Sequence, residues 1–186
     1  VGGTGLFGYK KTWNENHILN SLIEDTFSEK KIKYLRYKFD INGSDERQYS
    51  SPGFRINIAT ISKDKYYEYP YYHTSLDDLN YVKGRNIFKS FLIYRSLINK
   101  IENLTFYKNN VLYGEPMLSK RNLYPKLGGH ILPKNIKNIN LLLWILFYSD
   151  GLTSTYEISK KTKYNQKEIE KISENLKKLK LLSINE

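Results

Sequence analysis

Residues 69–79, "YPYYHTSLDDL", set one histidine, His73, between a run of tyrosines and two aspartates, Asp77 and Asp78. Those residue types allow an imidazole that grips a metal ion while a carboxylate on its far side orients it. They equally allow a polar residue that starts a helix. The first reading needs further ligands, and the chain has three histidines in all, His17, His73 and His130, and no cysteine. His73 is therefore not part of a dense local metal-binding cluster. It follows an expected strand at the end of a loop, which is where sheet enzymes place their working residues.

The bulk composition bounds what can surround that residue. At 186 residues, with 40% hydrophobic and 26% charged side chains, the chain can fold as one domain or two small ones. Zero cysteine excludes disulfides, thiolate catalysis and cysteine-ligated zinc, and fits a reducing, cytoplasmic setting. The longest apolar run, "INLLLWILFY" at 139–148, falls well short of the ~20 residues that span a bilayer. No membrane partner is expected. The chain opens on Val1 without an initiator methionine, so it is expected to be a piece of something longer. The net charge is +11 and the pI about 9.5. The lysines are scattered without a long basic block, so this reads first as composition and only second as a nucleic-acid surface.

The elements that would position His73 follow from periodicity. Residues 15–28 carry Ile18, Leu19, Leu22, Ile23 and Phe27 on one helical stripe, with His17 outside it and exposed. Residues 32–41 and 54–62 read as strands, and the polar stretch 42–53 between them reads as a loop. Ser75 is placed to cap a helix with Asp77 and Asp78 in its first turn. That helix would run to about residue 103, kinked at Gly84, with Ile87, Phe88, Phe91, Tyr94, Leu97, Ile98 and Ile101 toward the core. A strand or hairpin over 104–114 closes an α/β layer spanning 1–115. Residues 116–133, rich in proline and glycine, read as a connector.

The last segment, 134–186, has its own rhythm. A helix over 139–148 stops at Gly151, a second is capped by Thr153 or Ser154, and a third is capped by Asn165 with Ile169, Ile172, Leu176 and Leu179 inward. A short strand follows. This is the plan of a winged helix-turn-helix domain. Its third helix could enter a major groove through Lys167, Lys171, Lys177 and Lys178, but Glu168, Glu170 and Glu174 are interleaved and no arginine follows Arg121. These features weigh against DNA and toward packing or a protein partner.

Two linked motifs carry a resemblance. Asp45, Glu46, Arg47, Gln48, Tyr49, Pro52, Gly53 and Phe54 are followed by Glu68, Tyr69, Pro70, Tyr72, His73, Thr74, Ser75, Asp77, Leu79, Tyr81 and Val82. In that order and spacing they resemble the aminopeptidase-like domain family of bacterial proteins, which is related to the zinc-dependent aminopeptidases. "GEPMLSKRNLYPKLGG" and "LLLWILFYSDG" look like that family's connector and winged-helix extension. The resemblance implies the C-terminal part of a zinc-aminopeptidase-like α/β/α sheet domain followed by a small winged helix. It implies His73 as the last zinc ligand in chain order, oriented by Asp77, with the remaining ligands upstream of Val1.

The implied activity is peptide hydrolysis by zinc-activated water. Asp45 and Tyr72 would bind a peptide or peptide-like substrate, with Glu46 and Arg47 beside them at the reacting centre. Tyr49 would donate to the developing oxyanion. The alternative for this turn is structural, with Asp45 capping the loop and Arg47 pairing with a surface acid. One histidine cannot hold a catalytic zinc, so the 186 residues alone are expected to be inactive. Two other readings stay open: a non-catalytic binding module whose winged helix recruits a protein or DNA, and a fold that has lost hydrolysis and recognises a modified sugar or peptide. Substrate identity and homo-oligomer formation are not legible.

Overall fold

The computed structural model describes residues 1–124 and 139–184, and the chain divides into two compact units, Val1–Glu102 and Asn103–Glu186. The first unit is built on a three-stranded sheet of β1 (Phe7–Lys10), β2 (Tyr34–Tyr37) and β3 (Thr60–Lys63) in the order β2-β1-β3. β1 runs parallel to β2, pairing Phe7 with Tyr34, and antiparallel to β3, pairing Phe7 with Lys63. Helix α1 (Ile18–Glu29) makes the parallel crossover. α1 buries Leu22, Ile23 and Phe27 and packs against α3 (Gly84–Glu102).

β1 escapes sequence reading because all four of its residues, Phe7, Gly8, Tyr9 and Lys10, are buried. A central strand covered on both faces does not alternate. The strand expected over 54–62 shortens to β3, and Arg55, near its expected start, takes a left-handed conformation, φ 53°, outside the extended region. The expected loop at 42–53 contains a short helix, α2 (Asp45–Tyr49). His17 is not an exposed helix residue. It is the N-cap of α1, with Nδ1 accepting from Leu19 N at 3.3 Å.

Two expectations about α3 are corrected. The helix starts at Gly84, not at Ser75. Side chains of 74–80 bond to their own backbone instead: Asp78 Oδ1 accepts from Asn80 N at 2.7 Å, and Thr74 Oγ1 accepts from Leu76 N at 3.2 Å. Such local bonds compete with a helical ladder and hold the segment in turns. The core face of α3 also differs. Asn86, Ser90, Ile93 and Leu97 are buried, whereas Ile87, Phe88, Phe91 and Ile98 are exposed. The buried polar pair fastens the start of the chain: Asn86 Nδ2 donates to Gly3 O at 2.7 Å, and Ser90 Oγ donates to Val1 O at 2.7 Å.

The second unit holds an antiparallel sheet in the order β5-β4-β6, from β4 (Phe106–Asn109), β5 (Asp150–Ser154) and β6 (Leu182–Ile184). Helices α4 (Ile139–Tyr148), α5 (Thr155–Thr162) and α6 (Gln166–Lys178) complete it. β4, read from sequence as the end of the first domain, is the central strand of this sheet. Much of the expected connector, residues 125–133, lies outside the described residues, as does His130. The core joins Leu141, Leu142 and Ile145 of α4 to Ile158, Ile169, Leu176 and Leu182. Ser154 caps α5 in a reciprocal bond pair with Glu157, and Asn165 caps α6. Ile169 and Leu176 face inward as expected, while Leu179 is 42% exposed. Among the described residues no helix is long and apolar enough to cross a membrane.

Candidate functional site

The short helix α2 owes its position to a lysine that sequence reading passed over. Lys10, the last residue of the buried strand β1, reaches Glu46 Oε1 with its Nζ at 2.6 Å, and both side chains are almost completely buried. Lys10 Nζ also donates to Asn42 O and to Tyr66 Oη at 2.9 Å, with Asp40 Oδ1 at 3.4 Å. Gly43 precedes α2 at φ +128°, and a Cβ there would run into the Glu46 carboxylate. Burial alone, the largest single influence, would raise the pKa of Glu46, but the ion pair with Lys10 and backbone hydrogen bonds, among them one from Ser44 N, together outweigh it and hold the carboxyl below its usual range. Burial alone would lower the Lys10 ammonium, and its bonds to Glu46 and Tyr66 raise it instead. Both shifts favour the charged pair.

Glu46 is thereby committed to anchoring α2. Its helical neighbours are left at the surface. Asp45 and Arg47 are exposed, and Arg47 Nη1 donates to Ile41 O at 3.2 Å. Tyr49 is 49% exposed with its ring 6.2 Å from that of Phe54. Arg47 bonds a backbone carbonyl, which fastens the turn from outside.

The His73 segment is an aromatic assembly. Its ring is exposed and stacks on Tyr72, centroids 4.0 Å apart at 14°. Tyr72 meets Tyr67 edge-on at 4.9 Å, and Tyr67 meets Tyr66 at 5.4 Å. Since Tyr66 bonds Lys10, a continuous run of contacts leads from Glu46 through Lys10 and three tyrosines to His73. His73 sits in the left-handed region, φ 56°, a conformation that histidine tolerates better than bulkier side chains.

Asp77, expected to orient His73, takes Tyr69 as its partner: Tyr69 Oη donates to Asp77 Oδ2 at 3.0 Å. Burial and then that bond push the Tyr69 phenol up to about 12. Tyr69 stacks on Tyr81 at 5.6 Å, and Tyr81 Oη donates to Asp64 Oδ2 at 2.5 Å. Asp64 Oδ2 also accepts from Gly5 N at 3.0 Å. The tyrosines therefore weld 66–81 to the sheet. The signal for them was the density of "YYEYPYY" itself, since a phenol brings both an apolar ring and a bond donor to a half-buried surface.

Among the described residues no three histidine, aspartate or glutamate side chains come together where they could hold a metal ion. These residues by themselves do not fit a four-coordinate zinc site; His73 is available as a single ligand. The first unit has a small pocket of about 180 Å³ over Gly8, lined by Tyr37, Asp64, Lys65, Glu68 and Tyr69. A larger one of about 710 Å³ lies in the second unit beside Trp144, Phe147 and Tyr164. It shares no residue with the two motifs, so its size does not make it the candidate site.

Comparison with known proteins bears on this arrangement. Residues 1–104 match the family described as "Domain of unknown function (DUF4910)", and residues 105–184 match a winged helix-turn-helix family. A relative from Clostridium acetobutylicum, named "Putative polysaccharide biosynthesis protein with aminopeptidase-like domain", is 30% identical over 184 residues. The alignment covers 99% of this chain and 42% of the relative. A crystal structure of a "putative peptidase" from the same organism matches with a TM-score of 0.62 at 29% identity, covering 99% of this chain and 40% of that one. The chain thus spans less than half the length of the relatives it matches.

Proposed function

The chain belongs to the DUF4910 family, and we propose that it is the C-terminal part of a longer, zinc-dependent aminopeptidase-like hydrolase ending in a winged helix. The observation that carries the reading is the setting of His73. Its ring is exposed, held in a left-handed turn, and coupled through Tyr72, Tyr67 and Tyr66 to the buried pair that anchors α2. The aminopeptidase-like and peptidase names of its relatives support the same reading.

In this reading His73 supplies one ligand, and the others come from the part of the protein outside these 186 residues. Asp45 and Arg47 stand at the surface of α2 to meet the charged ends of a peptide-like substrate, with Tyr72 as an apolar wall and Tyr49 as a hydroxyl donor. Glu46 and Asp77 act indirectly, by holding α2 and Tyr69 in place. The relative's association with polysaccharide biosynthesis extends the substrate class to amide-linked sugars. A cysteine-free sequence suits a cytoplasmic location, and the winged helix serves packing or a protein partner.

The test uses the longer protein. His73→Ala should lower its zinc content, read by elemental mass spectrometry. It should also abolish hydrolysis across a panel of aminoacyl amides and N-acyl amino sugars. Zinc content equal to the parent's refutes the ligand assignment, and a zinc-loaded parent that cleaves none of the panel refutes the hydrolase.

A further inference from the structure

Helix α3 has two faces of opposite character. The face packed into its own unit presents Asn86, Ser90, Ile93 and Leu97. The neighbouring arc presents Ile87, Phe88, Phe91, Ile98 and Ile101, exposed by 47%, 59%, 53%, 54% and 39%. Ile87, Phe91, Ile98 and Ile101 recur at the spacing of a helix seam buried against a partner, with Tyr94 at the edge of the stripe, where its hydroxyl donates to Ile61 O of its own sheet at 3.0 Å. Single exposed apolar residues need no explanation, but a contiguous stripe along a helix of 19 residues marks a contact surface.

We propose that this stripe is where the rest of the longer protein's aminopeptidase-like domain packs, completing the layer of which this chain forms one part. The inference rests on the reading of the chain as part of a longer protein, not on its hydrolytic activity. Two observations select that occupant. The chain accounts for 42% of its relative's length, and the same helix fastens Val1 O and Gly3 O through Ser90 and Asn86. On the proposed reading of the chain as a C-terminal part, the residues that precede Val1 are delivered beside the stripe at high effective concentration. A second copy suits the surface poorly. Lys100 is paired with Glu29 at 2.8 Å, and the other charges of α3 before its final residue are Arg85, Lys89 and Arg95, so two such helices would bring like charges together.

The experiment places benzoyl-phenylalanine at position 88, and separately at position 91, in the longer protein. After irradiation, mass spectrometry identifies what each label has captured. Crosslinks to residues outside these 186, within one molecule and independent of protein concentration, are the expected result. Tyr113, 95% exposed, carries the same label as control and should capture no single segment. Capture of α3 from a second molecule, capture within 103–186, or labelling no more selective than at position 113 overturns the proposal. Expected crosslinks in a protein that hydrolyses nothing leave this inference standing while the proposed function falls.

Discussion

Lys10 and Glu46 form a buried ion pair, Nζ to Oε1 2.6 Å, between the end of the central strand β1 and the short helix α2. Their side chains are 4% and 7% exposed. Removing one partner of such a pair strands the other charge without water, whereas removing both does not. Lys10→Met and Glu46→Gln should each lower unfolding free energy by about 3 kcal/mol, and the double substitution should be less destabilised than the sum. Urea unfolding of the four proteins reads the coupling, and additive single effects would dismiss the pair as an organising element.

The same pair sets a pH limit. The Glu46 carboxyl is held below its ordinary value of 4.5 in the folded chain. Its stabilising contribution is present above that value and is lost as pH falls through the lower, folded one. Lys10, raised above 10.5, keeps its contribution below that value and loses it only as pH rises beyond. Stability should therefore be flat with respect to this pair between those limits and fall on acidification below 4.5. In Glu46→Gln the acid limb should be shallower. An identical limb in both proteins would show that Glu46 titrates as an ordinary carboxyl.

Tyr69 reports on the turn that carries His73. Its phenol is pushed up to about 12 by burial and by its bond to Asp77. Replacing Asp77 with asparagine removes the negative charge that opposes phenolate formation. Asp77→Asn should move the Tyr69 titration downward, followed by NMR of the labelled ring. An unmoved titration would mean that burial alone sets it and that Asp77 does not hold the tyrosines.

In the winged-helix unit, Ser154 accepts from Glu157 N at 3.2 Å while the Glu157 carboxylate accepts from Ser154 N at 2.9 Å. Ser154→Ala should destabilise the protein by about 1 kcal/mol, with Asn165→Ala similar at α6. A change in thermal midpoint indistinguishable from zero at both sites would count against these caps.

What the sequence determined by itself was local. The cap at Asn165, the α5 cap narrowed to Thr153 or Ser154, the helices of the second unit and the amphipathic α1 rest on bonds and periodicities that close within a few residues. The paired motifs around Asp45 and His73 were legible in another way, through their resemblance to a known family. Tertiary structure alone decided which of those groups are free to act. It buried Glu46 against a lysine far along the chain, gave Asp77 to Tyr69, and stacked His73 on Tyr72. It also turned the polar residues of α3 inward because they hold the backbone at Val1 and Gly3, leaving the apolar stripe outside. Hydrophobic spacing states that a face will be covered, but only the packed molecule states by what, because burial is a property of neighbours and not of the residue.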